Sequence, residues 1–260
     1  MNTINTKKLF ALFLVVLVIA FSFAACGEDT SDPDVQIYKV AMEPTFPPFN
    51  TINDETKELD GFDYDFMNAI AEDQGFQLEW VNMGFDNLVA SLEAGNIDNI
   101  ASGMDASADR KEQVDFSTTY YNTGLVLAVK AGNAAITSVD DLNSNMKAGG
   151  QIATTGSELA TVLYEEGRIS EAKIYNGLDE AIMDLLNGSI DVLINDLPVT
   201  KAYMDARPGT IEIVGETLNF ESYGYAVQKG NTELLNKINA GMKKLKENGT
   251  YDEIYEKWFK

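Results

Sequence analysis

The chain has 260 residues, 19 of them basic and 41 acidic, with no histidine and one cysteine, for a net charge of −22 at neutral pH. That balance speaks against nucleic acid as a partner, because binding phosphates takes a positive surface. The residue counts rule out histidine-based triads, zinc sites and an internal disulfide, so no cofactor, no metal and no catalytic residue of that kind is expected.

At the N-terminus, Lys7 and Lys8 precede an apolar run from Leu9 to Ala20, and Phe21 to Ala25 lead to Cys26. A basic start, an apolar stretch and small residues before a cut describe a secretory signal, here residues 1–25. A membrane-spanning helix needs about 20 apolar residues, and this run stops at the lone cysteine. Ala24-Ala25-Cys26 resembles the bacterial lipobox, with Phe23 where Leu is usual. The resemblance implies that Cys26 is acylated and becomes the mature N-terminus. The exported chain would then be lipid-anchored to the outer face of the cell membrane, or periplasmic. Gly27 to Val35 is polar, acidic and without apolar periodicity, so residues 26–35 read as the lipidated cysteine and a tether.

The body, 36–260, alternates strand-like and helix-like segments and is expected to be α/β. Tyr38–Met42 predicts a strand, followed by a Pro-rich loop from Glu43 to Phe49. Phe62, Phe66, Ala69 and Ile70 recur at helical spacing, with Gly75 as the stop. Phe85 to Gly103 and Leu178 to Asp196 then repeat one pattern: helix, Gly95 or Gly188, Ile-Asp98 or Ile-Asp191, strand. Asp86 and Asp179 are expected to cap the two helices. Two such units predict two lobes. Ligands of open α/β sheets sit at the carboxyl ends of strands, which places Gly103 on one cleft wall and Asp196 on the other. Near the end, Leu234, Leu235, Ile238, Met242 and Leu245 predict an amphipathic helix stopped by Gly249.

Several short motifs share one order and spacing: Pro47-Pro48-Phe49, Gly61-Phe62-Asp63-Tyr64-Asp65, Gly103-Met104-Asp105-Ala106-Ser107-Ala108-Asp109-Arg110, Asp115-Phe116-Ser117, Tyr223-Gly224, and Gly249-Thr250-Tyr251 through Lys257-Trp258-Phe259. From about Ile37 onward the chain resembles the polar amino-acid binding proteins of ABC importers, the arginine, histidine, lysine and glutamine receptors. That resemblance implies a two-lobed type II periplasmic-binding-protein fold. Lobe 1 would comprise 36–125, lobe 2 126–222, and 223–260 would return to lobe 1. Leu125–Val129 and Tyr223–Val227 are expected to be the two hinge strands.

The same resemblance implies a ligand-binding set. Taken alone, Arg110 could be a surface residue paired with Asp109 or Asp115; in its motif it is the guanidinium that grips the ligand carboxylate bidentately. Gly156-Ser157 lies near the family's Gly-Thr-Thr turn, so Ser157 and a helix N-terminus would add to that grip. Asp196 matches the acceptor of the ligand ammonium, although a strand-end Asp also commonly caps a turn. Phe46 and Phe85 would face each other across the ligand side chain. Glu43 and Asp105 would meet its distal group, with Gly103 beside them, while Asp63 and Asp98 read as structural. Gly103-Met104-Asp105 resembles the arginine-binding branch and favours a basic ligand; glutamine or cystine is the alternative. The implied protein is a monomer that closes on a free L-amino acid and is recognised by membrane permease subunits. A dehydratase on the same fold, with Glu43 or Asp105 as general acid, is the enzymatic alternative.

Overall fold

The computed structural model describes residues 35–260. The signal segment, Cys26 and all but the last residue of the tether lie outside them.

The first strand, β1 (Ile37–Met42), buries Tyr38 and the run Val40-Ala41-Met42, as a strand covered on both faces should. A short hairpin, β2 (Thr51–Ile52) and β3 (Leu59–Asp60), leads into α1 (Phe62–Gln74). Phe62, Phe66, Met67 and Ile70 form the buried stripe of α1, and Gly75 ends it in the left-handed conformation. There follow β4 (Gln77–Asn82), α2 (Phe85–Glu93), β5 (Asn99–Ile100), α3 (Ala108–Gln113) and β6 (Val114–Phe116). The chain crosses as β7 (Tyr121–Thr123) and enters a second body with β8 (Leu125–Lys130) and β9 (Lys147–Gln151). Then come α4 (Thr155–Glu165), β10 (Glu171–Tyr175), α5 (Leu178–Asn187), β11 (Val192–Asp196), α6 (Leu197–Ala206) and β12 (Ile211–Val214). It returns as β13 (Glu221–Tyr223), then β14 (Ala226–Gln228), α7 (Thr232–Glu247) and α8 (Thr250–Phe259).

The internal repeat reappears as sheet topology. One sheet has the order β4-β1-β5-β14-β6 and the other β10-β9-β11-β8-β12. In each, three parallel strands are extended by a strand antiparallel to them, β14 against β5 and β8 against β11. The repeated aspartates do the same work twice. Asp98 accepts the Lys39 amide and Asp191 accepts the Lys147 amide, each at 2.8 Å, fixing β1 and β9, which hold the same place in the two sheet orders.

Three local expectations are corrected. The N-caps of α2 and α5 are Gly84 and Gly177; Asp86 and Asp179 sit one turn in, where a carboxylate meets the positive end of the helix dipole. Gly249 opens α8, and α7 ends on Asn248. The crossing pair is β7 with β13, in register Tyr121↔Tyr223 and Thr123↔Glu221, a few residues before each expected segment. Leu125–Val129 is a fully buried apolar run, which a strand sandwiched inside a sheet requires, and it lies within the second sheet.

Each body has its own apolar centre. Leu125, Leu127, Val129, Leu163, Val192 and Ile194 pack together in the second. At the root of the hinge, aromatic rings interlock: Tyr120 stacks on Tyr225 at 4.5 Å, and Phe49 meets Tyr121, Tyr223 and Phe259 edge-on at about 5 Å. This cluster ties α8 to both crossing strands.

Candidate functional site

Between the two bodies lies a small pocket lined by Phe46, Phe85, Gly103, Asp105 and Arg110 from the first and Gln151, Thr154, Thr155 and Asp196 from the second, with Tyr223 of β13. Six of the eight residues expected at the site, Arg110, Asp196, Gly103, Asp105, Phe46 and Phe85, thus meet at one place. Ser157 and Glu43 do not line it.

Arg110 is on α3, whose N-cap is Ser107, and is only 8% exposed. Its Nη1 donates to the Asp105 carbonyl at 2.9 Å and its Nη2 to the Ala153 carbonyl of the second lobe at 2.8 Å. The guanidinium lies 5.4 Å from the Phe85 ring centre, so one face of Phe85 meets Arg110, and Phe46 and Phe85 both line the pocket. Among the described residues, neither Asp109 nor Asp115 bonds Arg110; Asp115 pairs with Lys229 at 2.9 Å. The two bonds go to carbonyls, and the remaining guanidinium donors suit an anion.

The opposite wall is the start of α4. Its N-cap is Thr154, whose hydroxyl accepts the Ser157 amide, and the Ser157 hydroxyl donates back to the Thr154 carbonyl at 2.8 Å. Ser157 is therefore spent on closing the helix turn. Thr154 and Thr155, three and two residues earlier, line the pocket instead. The sequence signal for this was a Thr at the N-cap position before the apolar stripe of α4. Close packing sets the wall: a Cβ on Gly156 would lie 2.4 Å from the Ile194 carbonyl oxygen, so only glycine lets α4 begin this near β11. The amides at the start of α4 point at the pocket from the positive end of the helix dipole.

Asp196 ends β11 and is 6% exposed. Although it stands at the N-cap of α6, its side chain makes no capping bond, so turn capping does not account for it. It accepts a hydrogen bond from the Tyr223 hydroxyl of the hinge strand. Burial, and then the neighbouring Glu221 carboxylate, push its pKa well above the usual range. Tyr223 had not been singled out; as part of a Tyr-Gly motif it gave no sign of facing a ligand.

Asp105 joins the Gly103 loop to the hinge. Its carboxylate accepts the Ser222 amide at 2.8 Å, and burial raises its pKa, with Glu221 adding to the effect and Arg110 opposing it. Gly103 stands at φ +51, its amide bound to Asp63 at 2.7 Å, and a Cβ there would press on the Phe46 ring at 2.8 Å. Asp63 is thus structural in its contacts, as Asp98 is. Glu43 is buried beside the pocket rather than in its lining. It accepts from the Thr45 hydroxyl, and the Gln151 side chain reaches it from the second lobe; burial raises its pKa, and Asp179 across the cleft adds a small push. Among the described residues, no group of three or more His, Cys, Asp or Glu is arranged to hold a metal ion.

The pocket is electrostatically divided, with a guanidinium and a helix N-terminus at one end and carboxylates on both walls beyond. The chain is similar in sequence and fold to known proteins. The chain is 33% identical over 224 residues to an arginine-binding periplasmic protein of Mannheimia haemolytica, covering 84% of this chain and 90% of that one. It is 30% identical over 274 residues to an ABC transporter glutamine-binding protein of Bacillus subtilis (strain 168), covering 98% of each. An ancestral arginine-binding protein, solved bound to arginine, superposes with a TM-score of 0.81 at 40% identity, over 86% of this chain and 98% of that one. The family model of bacterial extracellular solute-binding proteins, family 3, matches residues 38–260, and the chain belongs to that family, with its two-lobed type II fold.

Proposed function

We propose that this protein is the amino-acid receptor of an ABC importer, closing on a free amino acid with a basic side chain, arginine above others, and presenting the closed form to the permease. The observation that carries this reading is the pairing of Arg110, a buried guanidinium with only carbonyl acceptors, with Asp196, a buried carboxylate on the facing lobe. An α-amino acid presents a carboxylate and an ammonium one carbon apart, the complement of that pair.

In this reading the ligand carboxylate lies on Arg110 and the amides opening α4, and the ammonium on Asp196. The ring of Phe46 covers the side chain. Asp105 in the lining and Glu43 behind it make the environment acidic, which favours a distal cation. Because the ligand bridges both lobes, it binds the closed form more tightly and shifts the population toward closure. Cys26 would hold the receptor at the membrane by its lipid.

The test is a thermal-shift and calorimetric panel of the refolded body, residues 36–260, against the common amino acids, ornithine and prephenate. Refolding removes carried-over ligand, and a ligand at about 100 times its Kd adds about 2.7 kcal/mol of stability. A response to arginine that Arg110→Ala abolishes supports the proposal. A response to glutamine or cystine alone keeps the receptor and rejects the basic specificity. Prephenate turnover without amino-acid binding would replace it with an enzyme.

A further inference from the structure

Glu221 lies on the crossing strand β13 and is only 4% exposed. One carboxylate oxygen accepts the Asn219 side-chain amide at 3.0 Å; the other is buried and, among the described residues, has no donor. Asp196 lies on the same side of this strand: it accepts from the hydroxyl of Tyr223, two residues along β13 from Glu221, and Asp196 pairs with Leu125 where Glu221 pairs with Thr123. Two carboxylates are both acceptors, so a hydrogen bond between them forms only when one of them carries a proton.

The surroundings offer little compensation. From β13, Tyr223 donates to Asp196 and stays neutral, its own pKa pushed far up by burial and by these carboxylates. From α3 comes Arg110, the one cation acting on Asp196, and its bonds go to carbonyls. Asp105, before α3, and Glu158, on α4, are further carboxylates that feel Glu221, and burial raises the pKa of each. Lys111 acts on Asp105 alone, from outside the pocket. Four acids therefore share one guanidinium.

We propose that Glu221 is the second half of the ammonium subsite: it faces the Asp196 carboxyl, which carries a proton in the ligand-free closed form and exchanges it for the α-ammonium of the amino acid. The proposal rests on the receptor reading above. The balance is simple. The ammonium arrives with its own protons, the Asp196 proton leaves to solvent, and the two carboxylates then face one cation instead of each other. Glu221 pairs with Thr123 and Asp196 with Leu125, so the exchange takes place where the crossing strands enter the second lobe. It also gives the pair a role in selectivity: a ligand with no ammonium, such as a keto acid or a hydroxy acid, would leave the proton in place and gain nothing from the site.

The experiment is calorimetric titration of the refolded body with L-arginine and, in parallel, L-glutamine, at about pH 6 in two buffers of different ionisation enthalpy, which counts protons released per ligand. The wild type is expected to release roughly one proton per amino acid bound, and Glu221→Gln, which keeps the Asn219 bond through its amide oxygen, to lose that release. Binding without proton release in the wild type, or the same release in Glu221→Gln, would overturn the proposal while leaving the receptor reading intact. If neither amino acid binds, both readings fall. Should Glu221→Gln not fold, the wild-type proton count decides alone.

Discussion

The Arg110 guanidinium donates to the carbonyl of Ala153 at 2.8 Å, and this bond joins the first lobe to the second. Ala153 makes it from a left-handed backbone, at φ +60. For a residue with a Cβ that conformation costs about 1–2 kcal/mol. Ala153→Gly removes the strain and adds about 0.5–1 kcal/mol of unfolded-state entropy, so the variant should gain roughly 0.5–1 kcal/mol. Urea unfolding of the ligand-free body reads this as a higher midpoint with an unchanged slope. A lower midpoint would mean that Ala153 does not hold the left-handed conformation in solution.

Arg110 also gives the sharpest test of carboxylate recognition. Arg110→Ala leaves a buried carboxylate of the ligand unpaired and should cost about 3–5 kcal/mol of binding. Lysine keeps the charge but has no planar fork. Arg110→Lys should therefore recover only part of the loss, and it also loses the stacking on Phe85. Full recovery in calorimetry would show that a point charge suffices and would sink the bidentate arrangement.

The parts of this molecule legible in the sequence are those that local chemistry writes twice. The Gly95/Gly188 and Asp98/Asp191 pairs announced two equivalent units, and the two aspartates do bind equivalent strands, β1 and β9. Where a decision depends on tertiary packing, local patterns fall short. Leu125–Val129 and Tyr223–Val227 look like exposed crossings or buried strands equally well by periodicity, and only the sheet order separates them. The α4 wall was placed two residues late because Ser157 and Thr154 are both good caps. What decides is the tight approach of Gly156 to Ile194, a contact between segments far apart in the chain. Glu221 was invisible for the same reason: nothing around it in sequence shows that it meets Asp196.

That approach makes Gly156 a probe of the wall. In Gly156→Ala the new Cβ meets backbone oxygen, which cannot swing away, so α4 must shift off β11. The expected loss is about 1–3 kcal/mol of stability, accompanied by weaker ligand binding, because Thr154 and Thr155 move with the helix. Thermal unfolding and calorimetry on the same sample check both. A destabilised variant with unaltered affinity would separate the helix start from the ligand.

Asp63 provides the last prediction, and its sign runs against the usual acid trend. It is fully buried in α1, accepts the Gly103 amide at 2.7 Å and lies 3.4 Å from the Tyr225 hydroxyl; burial pushes its pKa up to about 7. The folded protein therefore holds this proton more tightly than the unfolded chain, whose aspartates titrate near 4. Its contribution to stability is fully present below about pH 4 and is lost as pH rises through about 7, with a slope of at most about 1.4 kcal/mol per pH unit. Half-buried Asp115 and Asp73, held low by their hydrogen-bond and lysine partners, push the other way, favouring the fold as pH rises from the acid side. Asp63→Asn isolates the buried group, since the amide oxygen can still accept from Gly103 while no charge can form. The wild type, relative to Asp63→Asn, should lose stability between about pH 4 and 7, and above pH 7 the variant should be the more stable protein. Parallel stability curves for the two proteins would show that Asp63 ionises in the folded state as easily as in the unfolded one, with its hydrogen bonds outweighing the burial.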